Sequence, residues 1–258
     1  MVYRELAPPP VLRPYVDRFW FRVPGDEPVA ASEHHTTATP ARILPDGCID
    51  VLLDADTGAA RVVGTMTRAV VHDAPLSRLA AVRFRPGGAH PFLRIGSAEL
   101  TDRVVDVAAL GARWLDLGAG EPIRLVAALE QALLRREAPA IDRRVREASR
   151  RLLAPRAPSV AGLSEALDIT RQQLARVFRQ HVGISPKELA RIARLQRTIH
   201  RLQREPSASL AAVALASGYY DQAHMSLELH DLAGVTPLSA RRAPGSISPI
   251  PSLWQEAG

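Results

Sequence analysis

Cysteine, lysine and long apolar stretches are nearly absent from this sequence of 258 residues. The single cysteine, Cys48, excludes an internal disulfide framework and is compatible with a reducing compartment. No run of 18 or more apolar residues occurs, so we expect no membrane span and no membrane partner. The first residues also lack the basic-then-apolar pattern of a signal peptide. The sequence therefore predicts a cytoplasmic protein.

Patterns that carry enzyme or metal chemistry are missing as well. No two histidines have the spacing of a helical or strand metal site, and we interpret His34-His35 as an exposed loop. The segment from Arg85 to His90 lacks the Lys and Ser/Thr of a phosphate-binding loop, so we interpret its Gly-Gly pair as a turn between strands. Asp46, Cys48 and Asp50 would share a strand face without a base. We expect no metal, no cofactor and no enzymatic activity.

Positive charge is concentrated in the second half of the chain. The whole sequence has a net charge of +6. Residues 1–138 have a net charge of −1, residues 139–245 have a net charge of +8, and Glu256 near the end contributes the remaining −1. Nearly all of the bases are arginine, with Lys187 the lone lysine. A basic second half is expected if that half binds a polyanion, although a charge excess alone also marks an ordinary solvated face.

The first half is predicted to be rich in β-strands. The stretches ARILPDGCIDVLLD and ARVVGTMTRAVVHD are β-branched and are broken by Asp46-Gly47 and Thr57-Gly58, and LAAVRF runs into a Pro-Gly-Gly turn. Apolar spacing then predicts two helices, at Thr101–Leu117 and Pro122–Arg136. The second helix should turn one face inward: Ile123, Val126, Leu129, Leu133 and Leu134. The early aromatic residues are expected in the core or, alternatively, in the wall of a pocket: Tyr15, Phe19, Trp20 and Phe21.

The predicted fold class is α+β, with a strand-rich domain followed by a helical one. A short Pro-containing linker at 137–141 places the boundary, giving a first domain at 1–138 and a second at 139–243. Residues 244–258 are rich in Pro and Ser, and we predict a flexible tail there.

The second half contains an internal repeat. Moving Thr170–Pro186 forward by 51 residues superimposes it on Asp221–Pro237, and upstream of Asp168 the offset is 50 because Tyr220 is inserted. Residues with matching character coincide: Leu174 with Met225, Phe178 with Leu229, Gly183 with Gly234, and Pro186 with Pro237. Matching caps, core positions and turns in two copies indicate two helix-turn-helix units rather than unrelated helical hairpins.

Each copy reads as a short helix, a tight turn and a second helix. Thr170 and Asp221 are expected to cap the second helices, which we call reading helices. Asp168 and Gly218 occupy the turns, where a left-handed backbone suits both residue types. Between the copies, the Ser185-Pro-Lys-Glu188 capping box opens a helix that runs to about Arg204. Some 18 residues give it a length of about 27 Å, close to the roughly 34 Å between successive major grooves.

With these features, residues 141–242 resemble the DNA-binding domain of the AraC family of bacterial regulators. TRQQLARVFRQHVGISPKELARIARLQR is similar to the family's first unit and connecting helix, and LAAVALASGYYDQAHMSLELHDLAGVTP to its second unit. LPDGCIDVLL, RFRPGGAHPFL and ELTDRVVDV resemble an uncharacterised domain that often precedes this module. The resemblance implies a barrel-like N-terminal domain for effector sensing or dimerisation, followed by two DNA-binding units.

The resemblance also implies which side chains contact DNA. On the first reading helix these are Arg171, Gln172, Gln173, Arg176 and Arg179. Arg can bond guanine and Gln can bond adenine through two hydrogen bonds each, whereas Arg179 is expected to contact phosphate. On the second reading helix the corresponding residues are Gln222, His224 and Ser226.

The second unit departs from the family's pattern. Leu227 stands where the family usually has Arg, Leu229 replaces Phe, and Glu228 and Asp231 should oppose the DNA phosphates. A leucine can contact a thymine methyl but loses a contact worth about 1–3 kcal/mol of base discrimination. We therefore expect the first unit to dominate base reading.

The sequence predicts a sequence-specific transcription regulator associated with the nucleoid. Expected partners are double-stranded DNA, a small-molecule effector or a second copy in a homodimer, and RNA polymerase if the protein activates transcription. An alternative is a protein-interaction or small-molecule-binding module with a degraded DNA-binding unit. A second is an enzyme built on the strand-rich half, which a convergent polar cluster around Cys48 would favour.

Overall fold

The computed structural model describes residues 2–23, 41–72, 78–242 and 247–248. The first half is strand-rich and the second half is helical, which confirms the α+β class. The predicted loop at His34-His35 lies outside the described residues. Of the predicted tail, only Ile247–Ser248 is described, and its backbone pairs with a strand of the first half.

The strands of the first half, together with the tail strand Ile247–Ser248 (β9), form two sheets. Their bounds are β1 (Val2–Leu6), β2 (Val16–Val23), β3 (Ala41–Ile43), β4 (Ile49–Asp54), β5 (Ala60–Val63), β6 (Val70–His72), β7 (Leu79–Phe84), β8 (Val104–Asp106) and β9 (Ile247–Ser248). One antiparallel sheet has the order β1-β2-β7-β4-β5-β8. In the other, β3 pairs with β6 and β9.

Period-two alternation gives the six-stranded sheet one apolar and one polar face. Val51, Val82 and Phe84 are fully buried and pack with the helix that follows the sheet. Of the predicted core aromatics, Phe19 is buried in this cluster, and the half-buried Tyr15 and Phe21 pack against it. Trp20 is also half-buried but is not part of the cluster. The intervening residue of β7, Arg83, is also buried but lies on the opposite face.

The helices follow, with the bounds α1 (His90–Leu93), α2 (Pro122–Leu134), α3 (Arg143–Leu153), α4 (Val160–Ala166), α5 (Arg171–His181), α6 (Pro186–Arg204), α7 (Leu210–Ala216), α8 (Gln222–Ala233) and α9 (Pro237–Arg242). Two helical cores lie beneath them. One joins α3 to α6, and the other joins α6 to α9.

The helix predicted at Thr101–Leu117 is wrong. Residues Val104–Asp106 form β8, which pairs with β5, and two 3-10 helices follow at Val107–Leu110 and Arg113–Leu115. Gly111 separates them in a left-handed conformation, with a φ of 66°. A long-range strand pairing and a helix-ending glycine therefore override the apolar spacing.

The helix predicted at Pro122–Arg136 is confirmed as α2, but its inward face is not as expected. Ile123 and Leu134 are 48% and 38% exposed. Leu125 is buried in their place, beside the expected Val126 and Leu129. Three of the five predicted inward residues, Val126, Leu129 and Leu133, are therefore confirmed, and Ile123 and Leu134 are wrong. The Gly-Gly turn is also confirmed, but it leads into α1 rather than into another strand.

The helix caps predicted from the repeat are all present. The side chains of Ser159, Thr170 and Asp221 accept hydrogen bonds from the first turns of α4, α5 and α8. At Ser185 both bonds of the capping box form, with Pro186 as the first helical residue of α6. Local sequence signals therefore set where these helices begin.

The turns between paired helices have the predicted left-handed backbone. Asp168 has a φ of 52° and Gly218 a φ of 84°. A Cβ added to Gly218 would meet no atom within 4 Å, so only backbone strain opposes a side chain there. Gly218→Ala should lower the free energy of unfolding by about 1–2 kcal/mol, and Gly218→Asn by less because Asn tolerates this conformation. Denaturant unfolding of the two variants tests this, and equal losses would contradict it.

Candidate nucleic-acid interface

The first unit holds α4 against α5 through a small apolar core. Leu163, Leu174 and Phe178 are fully buried. Ser164 is also buried, and its hydroxyl donates to the carbonyl of Val160, so the short side chain lets α5 pack close. This packing fixes which face of α5 remains in solvent.

The exposed face of α5 carries most of the predicted contact residues. Gln172, Arg176 and Arg179 have helical i, i+4, i+7 spacing and are all exposed. Neither arginine forms an ion pair with a carboxylate in the described part of the chain. Their guanidinium groups therefore remain free to bind an anion or a base edge.

The other two predicted residues of α5 lie towards the turn. Arg171 and Gln173 are exposed and line a shallow groove together with Glu165 and Asp168. The Gln173 Oε1 atom accepts from the Thr170 backbone N–H at 2.9 Å as part of a capping box. Pairing with adenine would need the same oxygen, so Gln173 is occupied as a cap.

The second unit offers a weaker exposed face. Gln222 and His224 are exposed at the start of α8, but the Ser226 hydroxyl donates to the Gln222 carbonyl at 2.8 Å. Leu227 is 70% exposed, as expected for a residue that faces outward. The exposed face of α8 therefore carries no arginine or lysine.

The expectation that Glu228 opposes the DNA phosphates is wrong. Its side chain is buried and accepts one hydrogen bond from Arg191 of α6, at 2.9 Å, and two from Arg194 of α6, at 2.8 and 2.9 Å. Asp231 is half-exposed and pairs with Arg191 and with Arg68 of the first half. The two acids therefore link α8 to α6 and to the first half. Sequence spacing could not reveal this, since the partners of Glu228 lie 34 and 37 residues away.

Burial raises the pKa of Glu228, but hydrogen bonds and charges from Arg194 and Arg191 outweigh it and lower the pKa below its ordinary value. The Arg194 guanidinium also lies over the Tyr219 ring, 4.7 Å from its centroid. The second reading helix is therefore held to α6 by a charged cluster as well as by apolar packing.

The first half holds the end of the first reading helix. Three hydroxyls donate to consecutive carbonyls there: Thr65 to Val182 at 2.6 Å, Ser97 to His181 at 2.8 Å, and Thr101 to Gly183 at 2.9 Å. Because α5 ends here, these carbonyls have no backbone N–H of a following helical turn as a hydrogen-bond donor. The three hydroxyls take the place of those donors. We call this set of contacts, together with those at the second helix, the end clamp.

The end clamp grips the second reading helix at equivalent positions. The Ala69 backbone N–H donates to the Leu232 carbonyl at 2.8 Å, and the Arg42 guanidinium donates to the Ala233 carbonyl at 3.1 Å. Leu232 and Ala233 are the repeat counterparts of His181 and Val182. Nothing in the local sequence predicted these contacts, because their donors are scattered through loops and strands.

A loop of the first half also enters the core of the second unit. Leu44 has no exposed surface and packs with Leu195, Met225 and Leu229, among others. The amide of Gln196 donates to the carbonyl of Pro45 at 2.7 Å in the same buried region. The two halves therefore share a core.

Cys48 and the two acids beside it, Asp46 and Asp50, lie in a buried cluster. Cys48 is buried, and burial followed by the nearby Asp46 carboxylate raises the pKa of its thiol, which disfavours the reactive thiolate. Arg83 lies between Asp46 and Asp50 at 3.4 and 2.9 Å, a counter-charge that sequence reasoning missed. Within the described residues there is no group of three or more potential metal ligands and no helix able to cross a membrane.

The chain matches two family models. Residues 163–243 match a family described as a helix-turn-helix domain, and residues 4–106 match a domain of unknown function. No curated protein matches the chain.

Solved structures similar to the chain include three bacterial proteins. The C-terminal domain of AraT, a response regulator from Geobacillus stearothermophilus, is 22% identical and covers 41% of this chain and 88% of that one (TM-score 0.37). An AraC-type transcriptional regulator from Chromobacterium violaceum is 25% identical over 40% and 92% (TM-score 0.36). ToxT from Vibrio cholerae is 9% identical over 80% and 95% (TM-score 0.42).

Proposed function

We propose that this chain is a DNA-binding transcription regulator of the AraC type, that its first unit dominates base reading, and that its first half controls the spacing of the two units; the helix-turn-helix match at 163–243 supports DNA binding. The asymmetry of the two reading helices carries the proposal. The first exposes Arg176 and Arg179 without ion-pair partners among the described residues, whereas the second exposes Leu227 at the position where the family has a basic residue.

The roles of the individual side chains follow from their chemistry. We assign Arg176 to a guanine and Gln172 to an adenine in the major groove, and Arg179 to phosphate. Arg171 and Gln173 lie nearer the turn and position the helix start on the backbone. Gln222, His224 and Ser226 contact DNA in the second unit, where Leu227 packs against a thymine methyl. The second unit therefore serves mainly to position the first.

Control by the first half is proposed from the end clamp. The clamp holds the ends of both reading helices through residues of the first half, so a shift of those residues would change the distance between the helices. A small-molecule effector or a second copy of the chain would act by favouring one arrangement of the clamp over another. Either ligand would thereby change the affinity for a DNA site of fixed spacing.

Paired alanine substitutions test the asymmetry. Arg176→Ala should weaken binding to a selected site by about 1–3 kcal/mol, roughly 5- to 150-fold, and should relax base preference at one position. Gln222→Ala should cost less than about 1 kcal/mol. The assay is fluorescence anisotropy with a duplex selected from a random pool, with Arg113→Ala, an exposed arginine of the first half, as control. Equal losses of DNA-binding affinity in the Arg176→Ala and Gln222→Ala variants would contradict the proposed asymmetry.

The same assay separates this function from the alternative of a protein-interaction module. Binding through several arginines displaces counterions, so the affinity should fall steeply as salt rises. Absent or salt-insensitive binding by the intact chain would favour the protein-interaction alternative.

A further inference from the structure

A pocket lies at the junction between the first half and α3, away from both reading helices. Its volume is about 430 Å³, within the roughly 300–1,000 Å³ that is usual for small-molecule sites. Residues 13–14 and 85–86 of the first half line one side, and α3 with the residues flanking it lines the other. We call it the junction pocket. Small-molecule sites occur preferentially at such boundaries between domains.

The lining of the junction pocket suits the body of an apolar ligand. Pro14 and Pro86 contribute from the first half, and Ile141, Leu153 and Ala154 contribute from the α3 side. None of these side chains can form a hydrogen bond. A compact hydrocarbon or aromatic group would therefore lose water on binding here without leaving a polar group unpaired.

The charged side chains that line the junction pocket are all arginines, two from each side. Two of the four already have acidic partners outside the lining. A guanidinium nitrogen of Arg85 lies 3.5 Å from the Asp17 carboxylate, and Arg150 donates two hydrogen bonds to the Glu147 carboxylate. The charge of these two arginines is therefore largely balanced.

Arg13 and Arg146 are the arginines able to bind an anion in the junction pocket. Both are exposed, and neither forms an ion pair within the described residues. Arg13 makes one long hydrogen bond, from its Nε atom to the Pro8 carbonyl at 3.4 Å. A guanidinium group can bind a carboxylate or a phosphate through two parallel hydrogen bonds. Because one arginine belongs to the first half and the other to α3, an anion bound by both would link the two halves.

A buried hydroxyl on the α3 side of the junction pocket also needs a partner. Ser149 lines the pocket and is 4% exposed, and its Oγ atom has no hydrogen-bond partner within the described residues. Other helical hydroxyls of this chain, those of Ser164, Thr198 and Ser226, donate to the carbonyl four residues earlier. A buried polar atom without a partner is unfavourable, so a ligand oxygen that reached Ser149 would be stabilised.

Helix α3 connects the junction pocket to the first reading helix. Val145 and Leu152 of α3 are buried in the same core as Leu174 and Phe178 of α5. Tyr15, which follows the pocket residue Pro14, packs against this core and against the core of the first half. A ligand that contacts both sides of the pocket would therefore favour one arrangement of the first unit relative to the first half.

We propose that the junction pocket binds a small organic anion, a carboxylate or a phosphate ester with a compact apolar body, between Arg13 and Arg146. The charged group bridges the two guanidinium groups, and the apolar body lies against the prolines and the α3 side chains. Binding strengthens the contact between the first half and α3, and through α3 it changes the DNA affinity of the first unit. This regulatory step rests on the proposed function, whereas the binding step does not.

Calorimetric titration of the full-length chain without DNA tests the binding step. The probes are benzoate and phenyl phosphate, which combine an apolar ring with the two kinds of anion. Inorganic phosphate lacks the ring, and benzyl alcohol lacks the charge. The pocket variant is Arg13→Ala/Arg146→Ala. The control variant, Arg124→Ala/Arg135→Ala, removes the same charge from exposed positions outside the pocket.

We expect benzoate or phenyl phosphate to bind at one saturable site, at least about tenfold more tightly than inorganic phosphate or benzyl alcohol. The pocket variant should bind that probe at least about tenfold more weakly, and the control variant should match the wild type. The inference is overturned if neither probe saturates, if inorganic phosphate binds equally well, or if both variants bind like the wild type. Which of the two probes binds more tightly identifies the charged group as carboxylate or phosphate.

Anisotropy with a selected duplex, measured with and without the saturating probe, tests the regulatory step. The affinity of the wild-type chain for the duplex should change by at least about fivefold, and that of the pocket variant should not change. Equal affinities with and without the probe overturn the regulatory step while leaving DNA binding intact. If the wild-type chain without probe binds no duplex, the proposed function fails, and the calorimetric result still decides whether the pocket binds an anion.

Discussion

Replacing Leu44 by alanine should lower the free energy of unfolding by about 2–5 kcal/mol, although the residue lies outside the DNA-binding domain. Its side chain is fully buried among residues of α6 and α8. Removal would leave a cavity between a loop of the first half and the second unit. We therefore expect faster hydrogen exchange in α8, more than one hundred residues away in sequence, in addition to the loss of stability.

Two matched variants show whether the buried contact is responsible. Leu44→Met keeps the volume and should cost less than about 1.5 kcal/mol. Ile43→Ala changes the preceding residue, which is 41% exposed, and should stay within about 0.5 kcal/mol of wild type. The measurement is denaturant unfolding of all three variants. If Leu44→Ala behaves like Ile43→Ala, the loop does not occupy the core of the second unit.

Local signals were sufficient to predict the two helix-turn-helix units and the connecting helix, whereas α3 and α9 were not predicted. Ser159, Thr170, Ser185 and Asp221 form their caps with backbone N–H groups three positions away, so each capping motif contains its own structural information. The left-handed turn at Asp168 is equally local. The repeat then reinforced each signal by presenting it twice.

Predictions that depended on distant partners were less successful. The apolar spacing of 101–117 fits a helix, but Val104–Asp106 pairs instead with β5, some forty residues earlier. The periodicity of a short segment cannot show that a strand edge elsewhere is available. The same reason explains why the three hydroxyls of the end clamp, at Thr65, Ser97 and Thr101, could not be recognised.

In the candidate site, too, features set by a single helix could be predicted, whereas features set by another helix could not. The exposure of Arg176 and Arg179 follows from the helix period once Leu174 and Phe178 are assigned to the core. The surroundings of Glu228 do not follow from its own helix, because its ion-pair partners belong to α6. An acid in a reading helix can therefore either be exposed and repel DNA phosphates or be buried in an ion pair. Which of the two occurs depends on the side chains of the neighbouring helix.

Glu228→Ala should therefore destabilise the chain rather than improve DNA binding. The change removes the carboxylate that pairs with Arg191 and Arg194, and it leaves two partly buried arginines facing each other. Breaking a buried ion pair costs about 3–5 kcal/mol, and we expect the low end because both arginines are partly exposed to solvent. Asp231→Asn, which affects a more exposed pair, should cost at most about 1 kcal/mol. Denaturant unfolding at neutral pH compares the two.

The pH dependence of Glu228→Gln separates the charge from the packing, since glutamine has nearly the same shape. The pKa of Glu228 is lower in the folded chain than its ordinary value of about 4.3. The ion pair therefore contributes its full stability above that pH and loses it as the pH falls through the folded-state pKa. We expect the stability difference between wild type and Glu228→Gln to be constant from pH 8 to about pH 5 and to shrink in more acidic solution. A difference that does not change with acid would mean that the Glu228 charge contributes nothing, and that α8 is held to α6 by apolar contacts alone.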